Sequence, residues 1–213
     1  MNSMANTTLY SGARSWWTAG YTGAGVDVAV IDTGVAPVAG LNTAGKIING
    51  PDLSLESQAA NLRNLDTNGH GTFMAGLIAG KDATMTAPYA SAPASAYRGI
   101  APDARIVSIT VATADGGVDV SQVIAAIDWA VQHRNDNGMN IRVINLSYGT
   151  NSTQAYTTDP LAHVAEQAWK HGIVVVAAAG NSGYKVDALT NPATDPYVLA
   201  GRRLGLESNG QHH

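Results

Sequence analysis

The chain is 213 residues long, enough for one domain with a sizeable core and short for two. Hydrophobic residues make up 45%, which excludes global disorder, while charged residues are only 13% against a usual share of about 25%. The formal net charge of −4 and the lack of any Lys/Arg run argue against nucleic acid or a membrane surface as partner, and the lack of cysteine excludes disulfides and thiolate chemistry.

The segment MNSMANTTLYSGARSWW has no basic stretch followed by an apolar one, so it does not read as a signal peptide. The longest apolar run, 173–179, is too short to span a bilayer. VDVAVID (26–32) reads as a buried strand, entered through GYTGAG and stopped by TG. HGTFMAGLIAG is helical in pattern, with Phe73, Met74, Leu77 and Ile78 at helical spacing. Residues 81–97, rich in Ala, Pro, Ser and Thr, read as a loop insertion. RIVSITVAT (105–113) is a second strand. The helix after it carries Val120, Val123, Ile124, Ile127, Ala130 and Val131 on one face, with Asp119 or Ser121 as cap. IRVINLS is a third strand. DPLAHVAEQAWKHG is a helix with Asp159 at the N-cap, Pro160 at the first position and Gly172 at the stop. IVVVAAAGNSG is a fourth strand that runs into a glycine turn.

Apolar strands separated by amphipathic helices predict a three-layer α/β sandwich around a mostly parallel sheet, in a single domain over 1–213. In such sheets chemistry gathers at the carboxyl ends of the strands, which puts Asp32, Ser147 and Asn181 along one rim. A carboxylate closing an apolar strand is costly unless paired, although Asp32 is also compatible with a turn cap. His70 opens a helix, whose dipole disfavours imidazolium; a nearby carboxylate opposes that and fixes the tautomer. Gly69 and Gly71 remove side-chain bulk beside it, leaving room for a substrate. Asn181, beside a glycine turn, reads either as a donor to a developing oxyanion or as an ordinary turn asparagine.

VAVIDTGV, NGHGTFMAG, GIAPDARI, INLSYG and VVVAAAGNSG occur in the order and spacing of the subtilisin-like serine peptidases, and the chain resembles that family from about residue 12 to 199. The resemblance implies that Asp32 orients His70, that His70 is general base and then acid, and that Asn181 stabilises the oxyanion. It implies a peptide or ester substrate bound as an added strand between Ser147-Tyr148-Gly149 and Gly116-Gly117-Val118, over a pocket floor of Ala178-Ala179-Gly180. It also implies an extracellular enzyme.

The family's nucleophile block, similar to Gly-Thr-Ser-Met-Ala, does not occur in these residues. After NPATDPYVLA the sequence departs from the family in GRRLGLESNGQHH, as a truncation would explain. Without the helix that follows the serine, an apolar sheet face is expected to be covered by a second copy or by the tail, or to leave the fold unstable. Ser147 is the expected substitute nucleophile, against a purely structural reading of that serine; Ser182 is a weaker one. Residual ester hydrolysis is the expected activity, and an inactive peptide-binding scaffold is the alternative. No cofactor is expected: calcium is common in the family, but residues 81–99 replace the matching turn, and His133, His163 and His171 lack partners at metal spacing. Asp32-Thr33-Gly34 also matches the aspartic-peptidase loop, but that chemistry needs two such loops on a β fold. Gly23-Ala24-Gly25 is no dinucleotide loop, because it precedes its strand.

Overall fold

A computed structural model describes residues 4–150, 152, 154–181 and 189–201. Ser182 and the tail from 202 onward lie outside the described residues. Two short helices, α1 (Met4–Tyr10) and α2 (Ala13–Thr18), precede the sheet and were not legible in the hydropathy pattern. The sheet has six strands: β1 (Asp27–Asp32), β2 (Ile47–Asp52), β3 (Arg105–Thr110), β4 (Ile141–Leu146), β5 (Val174–Ala178) and β6 (Leu199–Gly201). Their order is β2-β3-β1-β4-β5-β6, and every pairing is parallel. Helices α3 (His70–Ala79), α4 (Val120–Gln132) and α5 (Pro160–Lys170) cover it. None of the helices among the described residues is long and apolar enough to cross a membrane.

β1 lies between neighbours on both sides and is buried throughout, which is why it reads as an unbroken apolar run. Alternation divides it between two cores. Ala29 and Ile31 pack with Val107, Ile109 and the apolar stripes of α4 and α5. Val28 and Val30 face the other way, onto Ala75 and Ala79 of α3. The charged residue that opens β1 is neutralised in place: Arg105 grips both oxygens of fully buried Asp27, at 2.6 and 2.7 Å. α4 starts in a capping box built by Asp119 and Gln122, and α5 starts on Asp159 with Pro160 in its first turn, as the sequence indicates.

α3 buries Gly71, Ala75, Gly76 and Ala79, whereas Phe73 is 62% exposed. Ala75 and Ala79 let the helix approach the sheet closely, with half-buried Ile78 packed on the same core, while Phe73 points away from the strands. Beside it, Val174, Val176 and Ala178 of β5 stay half-buried and Leu199 of β6 is 56% exposed, whereas Val175 and Ala177 are buried under α5. One face of this half of the sheet is therefore packed and the other is open.

Residues 81–97 form a compact loop. Lys81 and Arg98 pair at its neck. Tyr89, 2% exposed, donates to Asp103 and packs edge-on against Trp17. Arg98 is 1% exposed; Nη1 donates to the carbonyls of Pro93 and Ala96, and Nη2 to that of Ala92, with the guanidinium over the Trp17 ring. The converging loop oxygens are thus taken by an internal cation. That donor set does not fit the calcium the resemblance raises, and no group of three or more His, Asp or Glu able to hold a metal occurs among the described residues.

Two outcomes follow from this packing. Val175→Ala is expected to cost about 1–3 kcal/mol in a urea titration, and Val176→Ala less than about 0.5 kcal/mol, because only the first leaves a cavity. EDTA is expected to leave Tm unchanged, whereas Arg98→Met, which strands three carbonyls, lowers stability by about 3 kcal/mol.

Candidate active site

α3 runs back across the sheet, so its N-terminus lies at the carboxyl ends of the strands. It covers the face to which the alternation of β1 directs Asp32. As a result His70 Nδ1 meets Asp32 Oδ1 at 2.8 Å, across 38 residues of sequence. Burial is uneven: the Asp32 side chain is 4% exposed and that of His70 48%. A carboxylate only accepts hydrogen bonds, so the pair fixes the proton on Nδ1 and leaves the Nε2 lone pair free. Oδ1 also accepts the Thr33 backbone N–H at 2.8 Å, while Oδ2 is buried without a partner.

The glycines around His70 have reasons other than substrate access. Gly69 has φ 97, a left-handed turn that L side chains resist. Gly71 is buried, and a Cβ there would overlap the Gly34 carbonyl oxygen, so the helix start and the turn after β1 touch backbone to backbone.

Asp32 and His70 border a cleft of about 290 Å³, also lined by Thr33, Asn68, Gly116, Val118, Ser147 and Tyr148. Of the two predicted substrate edges, then, Gly116 and Val118 face Ser147 and Tyr148 across it. Asn68 Nδ2 donates to the Ala114 carbonyl at 2.8 Å and ties one wall to the helix start. Gly149 sits beyond the lining, against Thr190, next to the bridge between Thr150 and Asn191. Ser147 Oγ accepts from Asn145 Nδ2 at 3.0 Å and makes no hydrogen bond with His70. Asn181 is exposed in the bend after β5, and neither it nor Gly117 or Ala178-Ala179-Gly180 lines the cleft. Asn68 and Thr33 were missed from the sequence. Their signal was position: each is within two residues of a member of the pair. A larger groove of about 830 Å³ runs between α4 and α5, on the far side of the sheet. The rings of His163 and His171, which line it, hydrogen-bond to Gln167, and no carboxylate pairs with either ring among the described residues.

This geometry can be compared with known proteins. The profile of the subtilase family (peptidase S8) matches residues 23–200. The chain is 33% identical over 181 residues to the serine protease AprX of Bacillus subtilis, covering 84% of this chain and 38% of that protein. It is 38% identical over 165 residues to subtilisin DY of Bacillus licheniformis, covering 77% and 50%. A crystal structure of a cold adapted subtilisin-like serine proteinase superposes with a TM-score of 0.62 at 30% identity, covering 84% of this chain and 55% of that one. The chain spans well under two thirds of the length of each of these proteins. The shared fold and the extent of the match establish that this chain belongs to the subtilase family.

Proposed function

We propose that the cleft beside Asp32 and His70 is a hydrolytic centre of serine-peptidase descent, acting on acyl groups of ester substrates and binding extended peptide. The observation that carries this reading is the 2.8 Å contact between Asp32 Oδ1 and His70 Nδ1 at the mouth of the cleft. With Nδ1 protonated, Nε2 takes a proton from a water molecule as its oxygen attacks the ester carbonyl carbon. A tetrahedral intermediate forms; the carbon–oxygen bond to the leaving group then breaks, and an activated alcohol departs as its anion without needing a proton. Asp32 stabilises the imidazolium formed on the way. Ser147 is a less apt attacker than water in this arrangement, since its hydroxyl is engaged by Asn145 and not by His70. The oxyanion role of Asn181 rests on the resemblance, as does an extracellular site of action.

Peptide bonds need both an activated nucleophile and protonation of the leaving amine. Ester turnover is therefore where this pair registers. In a serine-based site that has lost one member of its triad, the residual rate of roughly 10³–10⁴ over water comes from binding and oxyanion stabilisation, so the part contributed by His70 is the part of the ester rate that His70→Ala removes.

The competing reading is a peptide-binding scaffold without turnover, favoured by the lack of any hydroxyl hydrogen-bonded to His70 among the described residues. A nitrophenyl ester assay separates the two. Hydrolysis above buffer is expected, with His70→Ala removing the factor of roughly 10² or more that a general base supplies. A rate that His70→Ala leaves unchanged, or no rate above buffer, removes the hydrolase reading.

A further inference from the structure

A carboxylate four residues before the histidine plays no part in the pair itself, yet it makes more hydrogen bonds than either member. Asp66 Oδ1 accepts from the Thr33 hydroxyl at 2.8 Å, from Gly69 N at 2.7 Å and from Asn68 N at 3.2 Å. Its Oδ2 accepts from Thr72 N at 2.8 Å and from the Thr72 hydroxyl at 2.5 Å. Burial works against the charge on Asp66, but the bonds from Thr72, Gly69 and Thr33 hold its carboxyl below the usual carboxylate range.

The partners fall on two separate segments. Thr33 belongs to the turn that leaves β1 and directly follows Asp32. Asn68, Gly69 and Thr72 form the entry and first turn of α3, around His70. The two threonines extend the links. Thr33 Oγ1, while donating to Asp66, accepts from Gly71 N at 2.9 Å. Thr72 Oγ1, while donating to Asp66, accepts from Ala36 N at 2.9 Å. Each hydroxyl thus joins one segment to the other, with Asp66 at the centre. Gly69, the residue before α3, offers no side-chain cap of its own, so Asp66 satisfies donors that the helix start would leave open.

We propose that Asp66 is the positioning residue of the Asp32–His70 pair. It fastens the turn after β1 to the first turn of α3 through Thr33 and Thr72, and so holds Nδ1 of the imidazole against Oδ1 of the aspartate. The fastening adds to the Gly34–Gly71 backbone contact and to the Thr33 N–H bond on Asp32 Oδ1, and it matters because the two side chains have few partners besides each other. Asp32 Oδ2 has no partner, and the His70 ring makes no other hydrogen bond among the described residues. A rotation of α3 by part of a turn would separate them. The catalytic consequence rests on the hydrolase reading; the structural one does not.

The test reads the hydrogen bond before it reads turnover. Nitrogen-15 chemical shifts of the His70 ring report which nitrogen holds the proton, and they need no substrate. In the unaltered chain the Nδ1–H form is expected to dominate. Asp66→Asn and Thr33→Val are both expected to shift the ring toward a mixture of tautomers with faster proton exchange. Thr33→Ser, which keeps the hydroxyl, is expected to retain the original signals. Thr33→Val changes no charge, so it separates positioning from the loss of a nearby negative charge. A shift in Asp66→Asn alone would make the effect one of charge and overturn the proposal, as would unchanged signals in both variants with native circular dichroism. If Asp66→Asn does not fold, Thr33→Val decides by itself.

Ester turnover is measured on the same samples, with an expected loss of about tenfold or more in kcat at unchanged KM for Thr33→Val. Absence of turnover in every sample, together with the expected ring signals, would remove the hydrolase reading and leave the positioning role standing.

Discussion

The site depends on a backbone contact in which no catalytic atom takes part. The turn leaving β1 and the first turn of α3 meet at the Gly34 carbonyl and Gly71, closer than any side chain would permit. This approach brings a residue that ends a strand within hydrogen-bond reach of one that begins a helix. Glycine at 71 is therefore a packing requirement, and glycine at 69 a conformational one. The polar links around the contact, from Thr33, Asp66 and Thr72, satisfy the N–H groups that the helix start exposes. The Gly71 N–H is buried and meets the Thr33 hydroxyl in place of water.

The sheet explains why the histidine arrives on the correct side. The connections β2–α3–β3 and β3–α4–β4 step the same way across the sheet, yet α3 lies on one face and α4 on the other. The two crossovers must then have opposite hands, and one of them is of the rare left-handed kind. Had α3 taken the same face as α4, His70 would lie across the sheet from the Asp32 side chain. The chain also jumps over β1 between β3 and β4, which opens the crevice at the carboxyl end of β1 that Gly116 and Val118 line on one side and Ser147 and Tyr148 on the other.

Openness on one side of the sheet is the other consequence of this plan. α3 packs Ala75, Ala79 and half-buried Ile78 onto the sheet and leaves Phe73 exposed. β5 is unevenly covered, with Val175 packed under α5 and Val174 and Val176 only half-buried on the other face. Ala75 and Ala79 set the helix close to its own sheet, and Phe73 is the large side chain directed outward.

Much of this was legible in the residues. The strands from 26, 105, 141 and 173 and the helices from 70, 120 and 160 follow from periodicity and caps, because buried strands and amphipathic helices carry their environment in their pattern. The short strands β2 and β6 were not legible, since IINGPD and LAG contain little apolar alternation and gain their pairing from neighbours. Which face α3 buries was not legible for a related reason: apolar residues, small and large, stand on several of its sides and leave little period to read. Asp32 and His70 stood out as candidates because each sits at the end of an apolar element, where a polar side chain calls for an explanation. Asp66 did not, because its importance lies in partners 33 residues before it and six after.

The sequence by itself therefore determined the four central strands, the three longer helices and the Asp32 and His70 candidates, since local pattern and side-chain type are properties of short stretches. Tertiary structure alone decided which face α3 occupies, that the cleft takes in Ser147 but not Asn181, and that one carboxylate ties the site together. Those outcomes depend on crossover hand and backbone approach, which are fixed only when distant segments pack.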